Sequence, residues 1–321
     1  MRLQGNQELF NNAIRATAQR MNIPPEFVEK DYWVTFALFS IYNNEVGIET
    51  IFKGGTALSK CFSIIERFSE DIDLVVLRRE NESANQLKNK LKKVTQVVSE
   101  NLEEIEVNGI TNKLGMIRKI AYNYKKEFKN TFVQVRDVII VEATWLGRYE
   151  PFHKQKIASY IYEMMQDSKQ LELATEYGML PFEVQVLHVN RTICEKIMSL
   201  VRFSYGENPL DNLKNKIRHT YDIHQLLQVS EINEFFKSSA FDHMLLLVAQ
   251  DDRVSFKNNN EWLAEHPKDA LLFRDTENIW NELENTYLTD FRNLVYGNLP
   301  AGSEILQTLQ LVASRLQVIN W

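Results

Sequence analysis

The chain has 321 residues, a formal net charge of −6 and only two cysteines, Cys61 and Cys194. Its 44% hydrophobic and 25% charged residues fit one large globular domain or two intimate lobes. The acidic balance excludes a nucleic-acid binder that works through overall charge, and the scarcity of cysteine excludes a disulfide scaffold. No apolar run approaches the roughly 18 residues that cross a bilayer, and Met1-Arg2-Leu3-Gln4 has no secretory character. A cytoplasmic protein without membrane contact is expected.

Residues 6–21 have the pattern of an amphipathic helix, broken by Asn22-Ile23-Pro24-Pro25. Residues 26–42 predict a helix apolar nearly all round, and such a helix is buried. Asp31 falls within its Phe27–Val34–Leu38–Ile41 stripe, where an ionised carboxylate needs an Arg or Lys partner from elsewhere.

Residues 52–77, FKGGTALSKCFSIIERFSEDIDLVVL, organise the rest. Gly54-Gly55-Thr56 predicts a tight turn opening a short helix over 57–66, followed by a polar loop over 67–70 and a strand over 71–77. Alternation along that strand puts Asp71 and Asp73 on one face with Val75, and Ile72, Leu74 and Val76 in the core. Two carboxylates about 7 Å apart on one strand face can hold a divalent metal, and a diglycine lets backbone N–H groups approach an anion. Alone, the glycines read as an ordinary turn and the aspartates as a solvated strand end. Together, in this order, they point to phosphoryl or nucleotidyl chemistry.

The same string resembles the DNA polymerase β-like nucleotidyltransferases, whose signature is Gly-Gly, a short helix and Asp-h-Asp-h. With Thr56, Leu58, Lys60 and the Arg67-Phe68-Ser69-x-Asp71-x-Asp73-Leu74 segment, it looks like the AbiEii branch, the nucleotidyltransferase toxins of abortive-infection and type IV toxin–antitoxin systems. Glu29-Lys30-Asp31-Tyr32 resembles a further segment of that family, which assigns it no role.

Beyond the central string, residues 78–100 predict a polar helix with Lys88, Lys90, Lys92 and Lys93, and more basic residues follow at Arg118, Lys119, Lys125, Lys126 and Lys129. These are either a solvated face or a patch that guides RNA or a polyphosphate. Tyr122 and Tyr124 either stack on bases or pack. Strands are expected within 132–144, with Glu142 one step past the clearest run, as an ordinary strand-end residue or a third metal carboxylate. A loop over 145–151 sets the expected boundary between an α/β lobe, 1–150, and a mainly helical lobe, 151–321, that completes the active site.

In the second half, a short strand at 184–187 leads into a helix over 190–203, where Lys196 lies almost on the apolar stripe. It either snorkels to solvent or points into a polar cleft. By resemblance, Glu195-Lys196 matches the motif whose lysine contacts nucleotide phosphates. A helix over 213–228 is expected to bury Leu213, Ile217, Tyr221, His224 and Leu227 and to project Arg218 and Asp222 from its other face, as a surface ion pair on periodicity alone. By resemblance, Lys216, Arg218 and Asp222 match the last family motif, while His219 stands where the pattern usually has an Asp. Residues 230–321 are helical, with an acidic turn at Asp251-Asp252-Arg253 and a last helix over 303–318.

The resemblance implies an α/β fold with a small mixed sheet and a Mg2+-dependent transfer of a nucleoside monophosphate from a nucleoside triphosphate to an acceptor hydroxyl. The implied acceptor is RNA, in particular a tRNA 3′ end, and the implied protein partner is a cognate antitoxin. Asp71 and Asp73 would hold the metal. Gly54, Gly55, Thr56, Lys60 and Ser69 would cradle the phosphates, and Lys196 and Arg218 would neutralise the pyrophosphate. Asp222 would position the acceptor hydroxyl or take its proton. The competing readings are a non-catalytic nucleotide-binding regulatory module and transfer to a small molecule or a protein hydroxyl.

Overall fold

Two long helices, α1 (Gln7–Met21) and α2 (Pro25–Tyr42), lead the chain in the computed structural model, which describes residues 1–128, 136–256 and 260–321. The Asn6 side chain accepts a bond from the Leu9 amide at 3.1 Å to start α1, and Asn22, in the left-handed conformation, ends it. Pro25 takes the first position of α2, where a missing N–H costs nothing. As its composition predicts, α2 is buried on nearly every side.

The chain then weaves one sheet: β1 (Thr50–Lys53), α3 (Gly54–Lys60), β2 (Asp71–Val76), α4 (Ala84–Ser99), β3 (Glu103–Ile105), β4 (Ile117–Asn123), β5 (Ile139–Thr144), β6 (Phe152–Ile157), α5 (Tyr160–Asp167), α6 (Leu171–Glu176) and β7 (Phe182–Leu187). The strand order is β3-β4-β5-β2-β1-β7-β6. β2 pairs antiparallel with β1 and parallel with β5, and β7 runs parallel to β1. The fold is therefore α/β with a mixed sheet, as expected, though among the described residues the sheet has seven strands rather than a few.

Local chemistry explains where elements differ from expectation. The helix expected over 57–66 starts in the diglycine itself and ends at Lys60, because Ser63 turns the backbone left-handed. The helix expected from residue 78 waits until Ala84, where Ser83 and Gln86 form a capping box. Tyr122 is wholly buried and donates to the Thr95 carbonyl at 2.7 Å, so it is core and not a stacking platform. Lys129 and the first part of the 132–144 stretch lie outside the described residues.

Two compact units result. The first comprises Met1–Ser63, Phe68–Trp145 and Phe152–Val186. Residues 152–186 belong to it because β6 and β7 extend its sheet. The second comprises Ile64–Arg67, Leu146–Pro151 and Leu187–Trp321. It holds α7 (Val189–Phe203), α8 (Pro209–Lys214), α9 (Arg218–Gln228), α10 (Ser230–Lys237), α11 (Ser239–Ser255), α12 (Leu271–Arg274), α13 (Thr276–Thr286) and α14 (Gly302–Gln317). α7 packs on α9 and α11, and α14 on α9 and α13, around Ile193, Ile197, Leu245, Trp280 and Leu309. The single helix expected over 213–228 is two, α8 and α9, joined by a turn. Asp251-Asp252-Arg253 is not an acidic turn; it lies inside α11, and Asp251 receives Arg191 at 2.5 Å.

Candidate active site

In the first unit, strand register writes a row of charge across the sheet. Lys53 of β1 pairs with Asp73 of β2, Asp73 with Glu142 of β5, and Glu142 with Lys119 of β4. Residues in register share a face, so two carboxylates sit between two ammonium groups, with Asp71 two positions along on the same face. Val75, on that face too, is fully buried, which confines the open part to the 71–73 end. Glu142 is no strand-end residue, since β5 continues through Thr144.

Each carboxylate has a protein cation beside it. Lys119 Nζ lies 2.8 Å from Glu142, and Arg136 Nη1 donates to both oxygens of Asp71 at 3.0 and 3.2 Å. Burial, then the charges of Glu142 and Asp71, push the Asp73 carboxyl up to about 7 against the pull of Lys53 and Lys119. Hard oxygen donors crowded at this electrostatic cost are the donor set that a divalent cation relieves. Among the described residues no group of three or more His, Cys, Asp or Glu side chains is arranged to hold a metal ion. The donor type fits Mg2+, with Asp71 and Glu142 turned towards cationic side chains.

The glycine turn is built against this row. Gly54 has φ +81°, and a Cβ there would collide with Asp73 Oδ2. Only glycine meets both demands. Gly55 follows it in α3. Thr56 is buried, and its hydroxyl donates to the Asp71 carbonyl at 2.6 Å, which leaves its oxygen to accept from the Ser69 hydroxyl at 3.0 Å. That pair ties the loop before β2 to the start of α3. Gly54, Thr56, Ser69, Asp71 and Asp73 are thus brought together.

Lys60 is engaged elsewhere. Its ammonium pairs with Asp31 and lies 5.0 Å from the centre of the Tyr160 ring, and its side chain is 3% exposed. The buried carboxylate of α2 has its cation, with the Tyr160 amide donating to its other oxygen at 2.8 Å. The whole Glu29-Lys30-Asp31-Tyr32 string is satisfied in this way. Glu29 accepts from the Glu127 and Phe128 amides, and Tyr32 bonds Gln4. Lys30 pairs with Glu70 at 3.0 Å and donates to the carbonyls of Arg136 and Val138. The Arg136 amide donates to Glu70 at 3.1 Å, so this buried pair positions the arginine that reaches Asp71.

In the second unit, α7 and α9 bring Lys196 and Asp222 together at 2.6 Å. Asp222 does not project to solvent; it is completely buried. Arg67 donates to it through Nε at 2.6 Å and Nη2 at 2.7 Å. Burial opposes its charge, yet Arg67 and Lys196 hold its carboxyl well below the carboxylate range. Burial lowers the Lys196 ammonium, with Asp222 opposing. Arg218 opens α9. Burial, with the charges of Lys196, Lys216 and Arg218, pulls the His219 imidazole beside it well below its ordinary range against the opposing charge of Asp222.

Sequence reasoning left Arg67 without a role and missed Arg136, Glu70 and Lys53. Arg67 lay within the recognised string, but its partner is 155 positions away. Strand register, the signal for Lys53, emerges only on folding.

A family model described as "Nucleotidyl transferase AbiEii toxin, Type IV TA system" matches residues 37–307. No curated protein matches the chain in sequence. MenT4, a nucleotidyltransferase toxin from Mycobacterium tuberculosis, is similar in fold, with a TM-score of 0.58 and 15% identity over 96% of this chain and 90% of that one. Among the described residues no helix is long and apolar enough to cross a membrane.

Proposed function

The chain belongs to the AbiEii family of nucleotidyltransferase toxins of type IV toxin–antitoxin systems, and on that premise we propose that it transfers a nucleoside monophosphate from a nucleoside triphosphate to an RNA hydroxyl, a tRNA 3′ end foremost, with release of pyrophosphate. The observation that carries this reading is the in-register pair Asp73–Glu142, with Asp71 on the same face and Gly54 packed against Asp73. Asp71 and Asp73, with Glu142 beside them, would hold Mg2+, which when bound offsets the charge of the triphosphate and of the reacting phosphorus. The Gly54-Gly55 backbone and the Ser69 hydroxyl bind phosphate oxygens, with Thr56 fixing the loop that carries Ser69. Lys196 and Arg218 supply positive charge to the pyrophosphate as it leaves. Lys60, committed to Asp31, is not assigned to the phosphates. Exposed Lys88, Lys92 and Lys93 on α4 favour an RNA acceptor over a small molecule. A type IV toxin also implies a cognate antitoxin as its protein partner.

Incubating the purified protein with Mg2+, total RNA and each labelled nucleoside triphosphate in turn tests the reading directly. Label is expected in RNA with the wild type and not with Asp71→Ala or Asp73→Ala, each checked for folding by circular dichroism. Wild-type transfer by a folded Asp73→Ala protein sinks the metal assignment. Label appearing in protein or small molecules, with none in RNA, sinks the acceptor.

A further inference from the structure

Asp222 is the one acid of the last family motif, and the chemistry expected of it was contact with the acceptor hydroxyl. A carboxylate that takes a proton must come within hydrogen-bond reach of it, about 2.6–3.2 Å. Asp222 has no exposed surface, and three charge-assisted bonds already occupy its two oxygens: Arg67 Nε on Oδ1, and Arg67 Nη2 and Lys196 Nζ on Oδ2. The planar guanidinium grips both oxygens at once, which fixes the carboxylate in rotation as well as position.

The lysine is the group left with capacity. An ammonium has three donors, and the bond to Asp222 uses one of them. Its stem lies against the apolar stripe of α7, with Ile193, Ile197 and Leu200 fully buried, and its side chain is 8% exposed. Arg67, Lys196 and Asp222 together carry two positive charges and one negative, so the cluster is electrostatically suited to a further anion beside Lys196. A phosphate oxygen is an anion of the right kind.

From this we infer that Asp222 is a positioning residue: it aims the Lys196 ammonium at the triphosphate, and Arg67 is the clamp that holds Asp222 still. The inference rests on Lys196 as a triphosphate ligand, and it replaces proton transfer as the task of Asp222. The depressed carboxyl agrees with it, because so weak a base is poorly matched to taking a hydroxyl proton at neutral pH.

Equilibrium titration of the full chain with each of the four nucleoside triphosphates and their monophosphates, in Mg2+, separates these roles, with turnover measured alongside. Lys196→Met is expected to weaken triphosphate binding about tenfold to a hundredfold and monophosphate binding much less. Asp222→Asn is expected to do the same, and the double variant to be no worse than Lys196→Met alone, since both act through one contact. If Asp222→Asn fails to fold, Asp222→Glu carries the test. It keeps the charge but shifts the carboxylate by one methylene, and a loss of triphosphate affinity is again expected. Wild-type triphosphate affinity in a folded Asp222 variant with lost turnover overturns the positioning role in favour of chemistry. Wild-type triphosphate affinity in Lys196→Met overturns the ligand role of Lys196 as well, and the inference falls with it.

Discussion

Replacing Gly54 by alanine tests whether the glycine turn and the acidic strand form one device. The backbone at Gly54 has φ +81°, where an L side chain costs about 1–2 kcal/mol. That predicts a melting temperature lower by roughly 2–8 °C for a unit of this size. The methyl group would also overlap the Asp73 carboxylate, whose side chain supplies all three nearest atoms and must give way. A catalytic group displaced by about 1 Å loses on the order of a hundredfold in rate. Gly109 provides the control: its φ is +76°, and nothing lies within 4 Å of a Cβ built there. Gly109→Ala therefore carries the same backbone strain without touching the acidic row. Calorimetry and label transfer on both variants should show similar losses of stability but loss of transfer in Gly54→Ala alone. Equal transfer rates in the two would refute the coupling of Gly54 to Asp73.

Lys60→Met should destabilise the first unit by about 3–5 kcal/mol, because it leaves Asp31 charged and buried, and the double variant with Asp31→Asn should recover part of that loss in denaturant unfolding. No recovery would mean that the pair is not coupled. Changing exposed Lys88, Lys92 and Lys93 to Gln should weaken RNA binding and flatten its salt dependence by up to about 2 units of logarithmic slope, with triphosphate binding unchanged; RNA affinity that survives across about 50–200 mM salt makes them a solvated face. Asp222, facing Arg67 and Lys196, has a folded pKa below its unfolded value of about 3.9, so its stabilisation is complete above that pH and is lost as pH falls below it. The melting-temperature gap between wild type and Asp222→Asn should hold steady from about pH 7 to pH 5 and close only below about pH 4. A gap closing between pH 7 and pH 5 contradicts the buried cluster.

Periodicity carried the fold wherever one face or one composition decided burial. α2 was legible because its apolar residues run all round, and β2 because Asp71, Asp73 and the core residues alternate. β6 was not, since Phe152-His153-Lys154-Gln155-Lys156-Ile157 is an edge strand with little apolar alternation, and only pairing with its neighbour in the sheet makes it a strand. The break between α8 and α9 was hidden for a related reason. Leu213 and Ile217 keep helical spacing across it, so the hydrophobic pattern continues where the backbone turns.

At the site, the local part was readable and the long-range part was not. Gly54, Thr56, Asp71 and Asp73 lie within one short string, and their meeting needs only a turn and a strand. Asp222 shows what periodicity leaves out. A wheel places it opposite the centre of the apolar stripe, a face that periodicity alone reads as solvated because charged residues sit on it. Burial of a carboxylate depends instead on whether cations arrive to offset its desolvation, and Arg67 comes from 155 positions away. Asp31 makes the complementary case. There the apolar stripe left no doubt of burial, so a cationic partner followed by necessity and only its identity, Lys60, was open. A charged residue on an apolar face therefore announces a partner from sequence alone, whereas one on a polar face conceals it. The structural roles of Arg67 and Asp222 belong to the second kind.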